Sequence, residues 1–156
     1  MTFNAESFDQ TVREDGLIKR ASECFLYVAF ISLFNSIFYI FDFRLDFLIR
    51  LWGGLGLGVT ELISVLARRA GGVAPILALM LNLILSGAFI VFWYFARKGN
   101  LWAFCAGAGL FALDGIWILL TWPRPYANVA FHIFSLLFML AGVHGISRLE
   151  QLKQAQ

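Results

Sequence analysis

Phe47–Arg69 reads FLIRLWGGLGLGVTELISVLARR, and whether this stretch crosses a bilayer decides the architecture of the chain. It is poorly hydrophobic for a span, because Arg50 and Glu61 lie inside it and glycine stands at 53, 54, 56 and 58. From Val59 onward, Val59, Leu62, Ile63 and Leu66 recur at i, i+3, i+4 and i+7, while Glu61, Ser64 and Arg68 mark another face. That periodicity predicts an amphipathic helix, lying in the membrane interface or forming a re-entrant hairpin broken at Gly53 to Gly58. The rival reading is a fifth span buried among the others, with Gly54-x-x-x-Gly58 as a close-packing motif.

Outward from this stretch the sequence is simpler. Apolar runs occupy about 21–41, 73–95, 101–120 and 129–147, each near the ~20 residues a helix needs to cross ~30 Å of hydrocarbon. Hydrophobic residues make up 60% of the chain and charged residues 14%, far from a soluble composition of about 45–50% and about 25%. The expected fold is therefore all-α: a polytopic helical bundle, residues 1–156 forming one integral membrane domain with four transmembrane helices plus the segment at 47–69. Residues 1–20 hold four acids, three bases and a glycine before the first apolar run, which is too late and too long for a cleaved signal. Connections of about five to eight residues make the later helices antiparallel neighbours.

The lysines and arginines give an orientation only in the four-span case. The side with both termini and the 96–100 turn then carries seven (Arg13, Lys19, Arg20, Arg97, Lys98, Arg148, Lys153), against five opposite (Arg44, Arg50, Arg68, Arg69, Arg124). This places the termini in the cytoplasm; five spans would split the charges six to six. Trp93, Tyr94 and Trp102 would form one aromatic belt, and Trp117, Trp122 and Tyr126 the other. The chain has the general look of a small bacterial inner-membrane protein.

Polar groups inside the runs are the candidate functional residues. Asp114 sits in LWAFCAGAGLFALDGIWILL, where an unpaired charge costs roughly 2.5–3.5 kcal/mol. At 1.5 Å per residue, Asp114 and His132 lie at similar depths on either side of the 121–128 loop, so their side chains can meet. Asn82, on a face with Ala78 and Ser86, lies toward the same end. Ser32, Asn35, Ser36 and Tyr39 form a polar stripe on the first span, and it joins the others only if 47–69 does not cross. The expected cluster is thus Asp114, His132, Asn82 and Asn35.

Several function classes lose support. No basic, aromatic-interleaved patch exists for nucleic acid. Cys24 and Cys105 read as packing thiols, and neither a nucleophile–base set nor a phosphate loop is present, so no enzymatic activity is expected. His132 and His144 are twelve residues apart on one helix, about 120° and ~18 Å, and cannot share an ion; no metal or cofactor is expected. Ala108, Ala112 and Gly115, the pair Ala141 and Gly145, and Gly54 with Gly58 offer small-residue packing surfaces for the chain itself or another subunit. The expectation is a non-catalytic, membrane-embedded interaction or accessory protein that self-associates or binds a membrane partner within the lipid bilayer. The alternative is a small proton-linked transporter or channel using Asp114 and His132. Under the structural reading, Asp114→Asn is expected to leave folding nearly intact.

Overall fold

A computed structural model describes residues 5–41, 57–121 and 126–154. Within them the chain forms five helices: α1 (Ala5–Phe41), α2 (Gly58–Ala70), α3 (Ala74–Arg97), α4 (Leu101–Thr121) and α5 (Tyr126–Gln154). The first and last three are long and apolar enough to cross a membrane, whereas the 13 residues of α2 reach only ~20 Å. The all-α bundle with four candidate spans is the architecture read from hydropathy.

The turns follow local chemistry. Between α2 and α3, Gly71 and Gly72 take φ of 69° and 59°, a left-handed conformation that side chains resist, and Pro75 occupies the first turn of α3, where no N–H partner is lost. After α3 the amides of Gly99 and Asn100 return to the carbonyls of Ala96 and Phe95, at 2.9 and 3.2 Å.

Helix directions come from the packed pairs. A Cβ on Gly142 would stand 2.4 Å from the Phe104 ring, and one on Gly145 3.3 Å from Ile18, so α5 runs antiparallel to α1 and α4. Phe25 of α1 packs on Phe89, Phe92 and Phe104, with ring centroids 6.3, 6.2 and 5.6 Å away. One end of the bundle, here the turn end, therefore carries the start of α1, the α3–α4 turn and the end of α5. Phe41, the α2–α3 turn, the end of α4 and the start of α5 lie at the opposite end, here the loop end. Helix α2 runs from its start beside Ser32 to the α2–α3 turn at the loop end, the end at which α1 also finishes.

Three features differ from the sequence reading. Helix α1 starts at Ala5 and α5 continues to Gln154, and Ile18, before the first apolar run, still packs on Gly145 of α5. The amphipathicity of α2 is the reverse of a helix lying on a membrane surface: Thr60, Glu61 and Ser64 are buried, while Leu66 is 54% exposed. Its polar face finds partners on the spanning helices and its apolar face turns outward, as suits a helix whose surroundings are hydrocarbon. Glu61 is thereby a second acid buried in the bundle, where only Asp114 was expected. Residues 47–56, with Gly54, lie outside the described residues, as do Trp122 and the side chains of Tyr39 and Tyr126.

Candidate functional site

The first turn of α2 starts among the spanning helices, where its free amides have no water to turn to. A helix leaves four N–H groups unpaired at its start, and each costs several kcal/mol in hydrocarbon. Leu57, at the N-cap position, has no side chain able to help. Three of the amides are taken by other helices: Leu57 N–H donates to Ser32 Oγ of α1 (2.8 Å), Gly58 N–H to Asp114 Oδ2 (2.8 Å) and Val59 N–H to Asp114 Oδ1 (3.0 Å). Asp114 is thus a cap supplied by α4, and its negative charge meets the positive end of the α2 dipole.

Glycine at 58 permits this approach. A Cβ there would come within 2.4 Å of the Ile118 side chain, which packs against the same turn. Behind it, Asn82 of α3 donates Nδ2 to Thr60 O (3.1 Å) and Ser64 Oγ (2.8 Å). The Thr60 and Ser64 hydroxyls donate in turn to Leu57 O and Thr60 O, at 2.7 Å each.

His132 completes the arrangement from α5. Its Nε2 lies 3.1 Å from Asp114 Oδ2 and its Nδ1 2.9 Å from Asn128 O. A carbonyl only accepts, so Nδ1 carries a proton, and a hydrogen bond at Nε2 then requires one further proton shared with the carboxylate. The ring stacks on Phe111 at 4.2 Å and 8°, and a Cβ on Gly115 would stand 2.9 Å from its edge. Phe111, Asp114 and Gly115 of α4 therefore form a slot that sets the imidazole orientation.

Of the four expected cluster residues, Asp114 and His132 touch. Asn82 reaches the same α2 turn from the other side, and Asn35 is buried on α1 one turn beyond Ser32. Asp114 and Asn82 both bond the start of α2, and His132 stands behind Asp114. Thr60, Ser64 and Ser32 complete the site, and Glu61 is buried on the same helix. Glu61 and Ser64 belonged to a polar face readable in the sequence, which did not include Thr60, and the sense in which that face turns was not readable. Asn82 Oδ1, Ser86 Oγ and Asn128 Oδ1 are buried with no partner among the described residues. Outside, a shallow cleft of about 360 Å³ between α2 and α4 is lined by Val59, Leu62, Leu110 and Trp117, with Asp114 at its floor.

The packing residues also find places. Ala108 is buried, Gly115 lies against His132, Gly58 against Ile118, and Gly145 against α1, so these small residues serve contacts within the chain. Ala112 is half-buried, and with the exposed Cys105 and Gly109 it leaves a smooth strip on the outer face of α4. Among the described residues no three His, Cys, Asp or Glu side chains gather as metal ligands. Comparison with protein-family models, curated proteins and solved structures finds no match to this chain.

Proposed function

We propose that this is a non-catalytic, multi-pass membrane protein that acts as an accessory or interaction subunit, self-associating through α4, with both termini in the cytoplasm of a bacterial cell. The observation that supports this reading is the use of Asp114: both carboxylate oxygens accept backbone amides of α2, so the group serves the architecture. The outer strip of Cys105, Gly109 and Ala112 lets another backbone approach closely. Cys105 supplies the test. In a Cys24→Ser background, bifunctional maleimide treatment of the protein in membranes should give a dimer, and Gly109→Leu should reduce it severalfold. If Cys105 yields only monomer at all protein-to-lipid ratios, self-association through this face is wrong.

A second reading, proton-linked transport, is favoured by the proton that the Asp114–His132 contact requires and by the cleft that reaches Asp114 from outside. Proteoliposomes with an internal pH dye decide between them. Transport predicts a proton flux that His132→Gln abolishes while the fold is retained; the accessory reading predicts the same leak with and without protein.

A further inference from the structure

Far from the capped helix, at the turn end, α1 and α5 enclose a cleft of about 710 Å³ faced by Arg13, Arg20, His144 and Arg148. Arg13, Gly16 and Arg20 recur at i, i+3 and i+7 on α1, and His144 and Arg148 at i and i+4 on α5, so two helical stripes oppose each other. None of the three arginines has an ion-pair or hydrogen-bond partner among the described residues. Glu14 is the acid in the cleft, leaving an excess of two positive charges from three arginines and one glutamate with histidine neutral. Gly16 leaves the floor open, since a Cβ there would meet nothing within 4 Å.

The depth of the cleft matches a particular class of ligand. Arg20 directly precedes the first apolar run and Arg148 directly follows the last, which puts the guanidiniums at the level where hydrocarbon gives way to headgroups. Deeper along the same stripes, past the partly buried Glu23, the exposed residues become apolar: Tyr27 two turns below Arg20, and Leu140 and Leu137 below His144. A basic cleft above and an apolar track beneath fit an amphiphile better than a free ion. Planar guanidiniums pair with phosphate oxygens through two parallel N–H···O bonds. We infer that this cleft binds the phosphate of an anionic phospholipid headgroup, with an acyl chain along Tyr27 and Leu140.

The test uses the full chain, delipidated in neutral detergent, with bound lipid counted by native mass spectrometry. Phosphatidylglycerol should saturate at one copy and bind more tightly than phosphatidylcholine, and inorganic phosphate should not displace it. The Arg20→Gln, Arg148→Gln double variant should weaken phosphatidylglycerol about tenfold or more, at about 1 kcal/mol for each arginine removed. Gly16→Leu keeps every charge and places an apolar side chain in the cleft, its Cβ meeting nothing within 4 Å, so it should cause a similar loss and remains informative should the double variant misfold. Equal binding of the two lipids overturns the proposal, as does Gly16→Leu binding phosphatidylglycerol like the native chain. Displacement by inorganic phosphate would make the cleft a free-anion site and overturn the lipid assignment.

Discussion

At the turn end, Phe25 sits among Phe89, Phe92 and Phe104 with Ala21 and Met139 buried close by; at the loop end, Ser32, Asn82, Asp114 and His132 surround the first turn of α2. Both regions are buried, yet they stabilise in different ways. Ring pairs contribute roughly 0.5–1.5 kcal/mol each and tolerate small shifts, because dispersion is nondirectional. Hydrogen bonds at the loop end add modestly while intact, but removing one partner leaves a donor stranded in hydrocarbon at a cost of about 1–3 kcal/mol. The aromatic half can therefore be repacked by shape, and the polar half only by matching donor to acceptor.

The sharpest break in this contrast is Asp114→Leu. It deprives two amides of α2 of acceptors and leaves His132 without its partner, so unfolding in a denaturant titration should show a loss of about 3–5 kcal/mol. Amide exchange at Gly58 and Val59 should accelerate with it, and unchanged protection there would remove the capping role. Asp114→Asn should lie between, because a side-chain NH2 replaces one acceptor opposite a backbone donor; the geometry thus argues against the near-neutral effect expected from the sequence.

Phe25→Ala tests the other half. The cavity left among three rings should cost about 2–4 kcal/mol, less than in a water-soluble core because lipid is as apolar as the ring's surroundings. Phe25→Leu should recover part of this, while exchange at Gly58 stays slow in both. Coupled loss of protection at Gly58 would show that the two regions act as one. The finest probe is Ser32→Ala, which strands a single amide, that of Leu57. A loss of about 1–2 kcal/mol with faster exchange confined to the start of α2 would sharpen the contrast, and no change at all would mean that amide finds another acceptor.

Much of the site was legible residue by residue. Counting 1.5 Å per residue from the loop after α4 was enough to bring Asp114 and His132 together, since an antiparallel pair leaves depth as the main variable. The start of α2 at Gly58 coincides with the last glycine of the Gly53 to Gly58 stretch. The role of Ser32 was not legible, because a serine contact to a backbone amide 25 residues away leaves no periodic trace. Nor does the sequence mark Asp114 as a cap, since capping signals are local and this carboxylate comes from another helix, 56 residues beyond Gly58.

What the amino-acid order determined by itself was the set of four apolar runs and the two faces of α2, because hydrophobicity and helical period are properties of neighbours along the chain. Which face of α2 points inward belonged to the tertiary structure. The same face of Glu61 and Ser64 suits water when outside is aqueous and suits the bundle interior when outside is oil, so its sense follows from what surrounds the helix.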